Sequence, residues 1–126
     1  MDANVAHVYL EKPAMQKLIP QDLEHKSILC IGVGAGDELG DLIRQNPRRI
    51  VGIDVSQELL NIAREKFPSL ETQKMDMMSL SFAPDSFDFV YSSLTMHYVK
   101  DWTKTLQGVH RILKKRGAFI FSTHHP

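Results

Sequence analysis

The chain has 126 residues, 43% hydrophobic and 24% charged, which suits one globular domain with a real core. Fifteen basic residues balance fifteen acidic ones, so no general attraction to nucleic acid or to an anionic membrane is expected. Its apolar runs are too short to span a bilayer, MDANVAHVYLEKP has no signal-peptide core, and lone Cys30 makes neither an internal disulfide nor a cysteine-based metal site, which together point to a cytoplasmic setting.

In chain order, residues 1–26 are expected to form a lead-in with a short helix around Pro13–Ile19, and residues 27–126 to form the core. Residues 27–33 (SILCIGV) are nearly continuous apolar sequence, the pattern of a strand buried on both faces. A glycine-rich turn follows, and Leu39, Leu42 and Ile43 then repeat at helical spacing up to Pro47. Arg49–Val55 is the second strand. Ser56 is placed to cap a helix with Glu58 in its first turn and Leu59, Leu60, Ala63 and Phe67 on one face. Residues 70–76 form a weaker third strand, Pro84-Asp85 a turn, and Phe87–Ser92 a fourth strand. Asp101 is expected to cap a helix with Trp102, Leu106, Val109, Ile112 and Leu113 on its apolar face, Gly117 to serve as its C-cap or turn residue, and Ala118–Thr123 to be the fifth strand. Strands alternating with helices predict an α/β fold: a Rossmann-like, doubly wound, mainly parallel sheet of about five strands with helices on both faces.

The chemistry concentrates at Gly32-Val33-Gly34-Ala35-Gly36, between a strand and a helix. Glycine suits a sharp turn that a ligand approaches closely, at the carboxyl edge where open α/β sheets bind ligands. The alternative is a tight turn with no ligand. Asp54 ends the second strand about twenty residues later, where a carboxylate accepts hydrogen bonds from ribose hydroxyls; otherwise it is a strand-end acid beside the next helix. A dinucleotide fingerprint would place its third glycine at position 37, which is Asp. A carboxylate in that first helical turn repels a pyrophosphate. S-adenosylmethionine carries no phosphate, and its ammonium and sulfonium tolerate acids, so the electrostatics favour the methyl donor.

These residues resemble the class I S-adenosylmethionine-dependent methyltransferases of the small-molecule type, similar in pattern to the ubiquinone/menaquinone biosynthesis enzymes. ILCIGVGAG at 28–36 resembles the family's first motif and GIDVS at 52–56 its second. MDMMSLSFAPDSFDFVYSS at 75–93 resembles the stretch from the third strand through the fourth, and LKKRGAFIFSTHHP at 113–126 the last helix end and fifth strand. The resemblance implies S-adenosylmethionine as cofactor, with Gly32, Gly34 and Gly36 forming its turn, Asp54 on the ribose and Val55 among the donor-binding positions. It also implies that Asp76 accepts from the adenine amino group and that the Met77 amide meets a ring nitrogen. Ser92 and Ser93 would line the methionine portion, and Tyr9 would belong to an N-terminal lid. Cys30 stands where the family usually has an acid, and a buried cysteine offers no carboxylate to the donor's ammonium. Arg116 stands where the family commonly has glycine.

Methyl transfer needs a base only when the nucleophile must lose a proton. No catalytic residue is assigned: His97, in a TMHYV stretch that resembles a family segment often structural in role, is a candidate, as are His124 and His125, while His110 reads as a helix-surface residue. No metal is expected. The family continues past its fifth strand into a terminal hairpin, and this sequence stops at Pro126. The chain is therefore expected to be C-terminally truncated, leaving the fifth strand as an exposed edge that a homodimer would cover. The expected activity is methyl transfer to a small-molecule acceptor. The alternatives are a non-catalytic or truncated donor-binding module and, more remotely, an NAD(P)-binding oxidoreductase domain.

Overall fold

A computed structural model describes residues 6–9, 20–33, 37–92 and 102–121. The elements run β1 (Ala6–Tyr9), β2 (Ser27–Ile31), α1 (Asp37–Ile43), β3 (Arg49–Asp54), α2 (Gln57–Lys66), β4 (Glu71–Lys74), β5 (Phe87–Ser92), α3 (Trp102–Ile112) and β6 (Leu113–Phe121). The strands among the described residues all pair in parallel in one sheet of order β1-β6-β5-β2-β3-β4. The five expected strands are present as β2 to β6, and β1 adds a sixth. The sheet grows from β2 outward through β3 to β4, then restarts on the other side with β5, so the order reverses beside β2. In open α/β sheets such a reversal marks the carboxyl-end edge where ligands bind.

Side chains of β2 alternate between two cores because successive strand residues face opposite sides of a sheet. Ile28 and Cys30 join Leu39 and Leu42 of α1 and Leu60 and Ala63 of α2 on one face. Leu29 and Ile31 join Val109 and Ile112 of α3, with Leu80 and Phe82 from the β4–β5 connection, on the other. Each fully buried Leu, Ile or Phe contributes roughly 1.5–3 kcal/mol relative to exposure, so this double-sided burial dominates the fold's stability.

Local signals set the ends of the elements. The Ser56 side chain accepts the Leu59 amide at 3.3 Å and caps α2. Asn46, left-handed at φ 55°, turns the chain after α1 ahead of Pro47. Leu59 departs from expectation: it is 38% exposed, because Leu60 and Ala63 already fill the buried side of α2.

Two further expectations are corrected. Gly117 is no helix cap, because α3 ends at Ile112, β6 begins at once, and Gly117 lies inside the strand. The register steps from Phe87 opposite Leu113 to Phe89 opposite Ala118, so residues 114–117 bulge against Asp88. A Cβ on Gly117 would lie 2.7 Å from Leu113 Cδ2 and 3.0–3.1 Å from the Lys114 and Asp88 carbonyl oxygens, so crowding excludes a side chain there. The outer edge of β6 is also not open. Ala6–Tyr9 pairs along Ala118–Phe121, with Tyr9 opposite Phe121, and this removes the exposed edge on which a homodimer was expected. The lead-in helix around Pro13–Ile19 and the Asp101 cap lie outside the described residues. Among the described residues no helix is long and apolar enough to cross a membrane.

Candidate functional site

Because every strand is parallel, β2, β3 and β4 deliver their carboxyl ends to one edge. Asp54 sits at the centre of it. Its Oδ2 accepts the Val33 amide at 3.2 Å, and its Oδ1 accepts the Ser56 amide at 2.9 Å. Its backbone oxygen accepts the Met75 amide at 3.1 Å. One residue therefore ties together the glycine turn after β2, the start of α2 and the segment after β4. The carboxylate is only half-buried, and each oxygen keeps a lone pair beyond its amide contact.

The glycine turn is held from β3 by a second bond. Gly32, at φ 80°, donates its amide to the Ile53 carbonyl at 2.8 Å. That backbone conformation suits glycine and is disfavoured for other residues. Gly34 and Gly36 lie outside the described residues, whereas α1 begins at Asp37, as the expectation of an acid in its first turn requires.

Beyond β4, the Asp76 carboxylate accepts the Met78 amide at 2.8 Å, and the Asp76 carbonyl accepts the Ser79 amide at 2.9 Å. This side-chain turn is one that aspartate forms readily. It leaves Asp76 exposed and Met77 half-buried against the core. Val55, next to Asp54, is 64% exposed and presents apolar surface beside the carboxylate.

Ser92 ends β5 opposite Ile31, at the same edge, and is fully buried. Cys30 is 1% exposed and packs with Ile28, Val33 and Leu39 on the α1 side of the sheet. Ser93, His97, His124 and His125 lie outside the described residues. His110 is exposed on α3, as expected of a surface position. Among the described residues no group of three or more His, Cys, Asp or Glu side chains could hold a metal ion.

Sequence reasoning passed over two contributors. Val33 is 3% exposed and sends its side chain into the core from within the glycine turn. Gly52 lies beneath it, where a Cβ would come within 2.7 Å of Val33 Cγ1. A glycine inside the apolar run RIVGID was the available signal, since glycine in a strand often marks a close approach.

Gly32, Asp54, Val55, Asp76 and Met77 thus share one edge of a sheet whose strand order reverses beside it. Residues 29–121 match the model of the methyltransferase domain family, and the chain belongs to that family. Its class is that of the S-adenosylmethionine-dependent methyltransferases of class I, whose cofactor is S-adenosylmethionine. The chain is 29% identical over 125 residues to an uncharacterised protein of Haemophilus influenzae, covering 93% of this chain and 49% of that one. It is 30% identical over 100 residues to the demethylmenaquinone methyltransferase of Chlorobaculum parvum, covering 79% of this chain and 42% of that enzyme. The crystal structure of an S-adenosylmethionine-dependent methyltransferase from Mesorhizobium loti matches it with a TM-score of 0.82 at 33% identity, over 90% of this chain and 52% of that one. The chain thus spans about half the length of these relatives.

Proposed function

We propose that this chain binds S-adenosylmethionine at the carboxyl edge of β2, β3 and β4 and serves methyl transfer to a small-molecule acceptor, in a reducing, cytoplasmic setting. The observation that carries this reading is the convergence on Asp54 of the glycine turn, the start of α2 and the segment after β4.

The residues present fit the cofactor. Asp54 offers half-exposed carboxylate oxygens whose remaining lone pairs suit the paired hydroxyls of a ribose. Val55 offers an exposed apolar side chain for one face of an adenine. Asp76, its carboxylate pinned by the Met78 amide, retains acceptor capacity for an exocyclic amino group, and the Met77 amide lies in the same turn. Gly32 and its neighbours Gly34 and Gly36 suit close approach of the donor's methionine portion to the main chain. Ser92 stands at the carboxyl end of β5, and Ser93 follows it in the sequence; both would line the donor's methionine portion toward the acceptor.

When bound, S-adenosylmethionine supplies an activated methyl group on a sulfonium, so the difficult chemistry resides in the cofactor. The chain's own task is to fix the donor's orientation and exclude water. Asp54 and the glycine turn would do the first by holding the donor's ribose and its methionine portion, with the Asp76 turn toward the adenine. His97 is the candidate to take a proton from an acceptor whose nucleophile carries one.

Calorimetric titration with S-adenosylmethionine, S-adenosylhomocysteine and NAD tests the reading. Binding of both sulfur compounds with no binding of NAD is the expected result. Binding of NAD alone, or of none of the three at millimolar concentration, would overturn it.

A further inference from the structure

Resting on that donor-binding reading, we propose that Gly52 and Val33 form a matched pair that positions the glycine turn, so that the fit between them sets donor affinity. Val33 makes two attachments at once. Its amide is held by Asp54 Oδ2 at 3.2 Å, and its side chain sits in the space left by the missing Cβ of Gly52. A Cβ at position 52 would come within 2.7 Å of Val33 Cγ1, closer than real side chains approach, and the Leu70 methyls at 3.5 Å stand beside the same spot. A methyl group on residue 52 therefore requires the Val33 side chain to give way, and in this proposal the turn that carries it moves too.

The hydrogen bond magnifies that displacement. At 3.2 Å the Val33–Asp54 contact is already at the long end of the N–H···O range, so a shift of a few tenths of an ångström breaks it. Asp54 would then lose one of the contacts that aim its carboxylate, and the Gly32 amide bond to Ile53 would strain with it. Gly52 and the Val33 side chain are thus positioning residues, acting through Asp54 and the turn.

The test compares Gly52→Ala, Val33→Ala and the double variant with the unaltered chain. Each is titrated with S-adenosylhomocysteine, and amide exchange at residue 33 is measured by NMR relative to Leu29 in the core. Gly52→Ala is expected to weaken binding by about tenfold or more and to speed exchange at residue 33 selectively. Removing the Val33 methyls should restore most of that loss, so the double variant binds more tightly than Gly52→Ala. A merely structural fault would speed exchange at Leu29 equally. Should Gly52→Ala fail to fold, the alanine at position 52 is read in the Val33→Ala background, where a change within about threefold is expected and a large loss overturns the pairing. Normal affinity and exchange in Gly52→Ala, or no rescue in the double variant, also overturns it. If the unaltered chain binds no S-adenosylhomocysteine, the donor reading fails by itself, and exchange at residue 33 still decides the pairing.

Discussion

The Asp54 carboxylate receives the Val33 amide at 3.2 Å across the junction between β3 and the turn that follows β2. Side-chain oxygen here continues what main-chain oxygen begins one residue earlier, where the Ile53 carbonyl receives Gly32. The acid proposed to bind ribose therefore also ties together the glycine turn, the start of α2 and the segment after β4. Asp54→Asn tests the structural half of this role. An amide oxygen can serve either Val33 or Ser56, which leaves the NH2 facing a second donor. A loss of about 1–3 kcal/mol in stability is expected from the urea midpoint, together with weaker binding of S-adenosylhomocysteine. An unchanged midpoint would show that these contacts do not matter.

Gly117 gives a second prediction, independent of any ligand. Its Cβ position is occupied by Leu113 and by the Lys114 and Asp88 carbonyls, so Gly117→Ala must distort the β6 bulge. A destabilisation of about 1–3 kcal/mol is expected by chemical denaturation. Full stability in that variant would mean that the bulge is freely deformable.

Across the sheet, the strand-end Arg49–Glu71 pair predicts a pH dependence. Arg49 donates two hydrogen bonds to the Glu71 carboxylate at 3.2 and 2.7 Å, and these hold Glu71 below the ordinary glutamate range. A depressed carboxyl stabilises the fold above its unfolded pKa and loses that contribution as pH falls through the lowered folded value. Arg49, raised further by the same pair, stays charged throughout and adds no slope. Both side chains are substantially solvent-exposed, so the contribution is small. Urea titrations between about pH 6 and about pH 3 should show a slightly shallower acid loss for Glu71→Gln than for the unaltered chain. Identical slopes would remove the pair from the acid sensitivity.

The β1–β6 pairing predicts what removing residues 1–9 does. The outer edge of β6 along Ala118–Phe121 would become available for pairing, and its apolar sequence favours self-association. Light scattering should report larger species for the shortened chain than for the intact one at equal concentration. Indistinguishable scattering would mean that β1 contributes little to covering that edge.

The parts legible in the sequence are those whose causes are local. Ser27–Ile31 and Phe87–Ser92 show as strands because both faces are buried, and Ser56 shows as a cap because capping uses a short polar side chain three residues from its partner. Strand β1 was not legible, because AHVY is short and its partner lies more than a hundred residues away. Gly117 invited a turn, since glycine's local meaning is conformational, while its cause here is crowding from Leu113 and Asp88. At the site, Asp54 and the glycines were recognisable from spacing, yet the Val33–Asp54 bond and the Gly52 notch join residues about twenty positions apart. Such contacts follow from strand register, which spacing alone does not fix.

The most direct test of the central claim is amide chemical-shift mapping during titration with S-adenosylhomocysteine. Binding as proposed should move the amides of Val33, Val55, Ser56, Met77 and Met78 together, with one common dissociation constant. Shifts confined to the opposite, amino edge of the sheet, around Asp22, Lys26, Asp88 and Lys114, or no shifts at all, would contradict it.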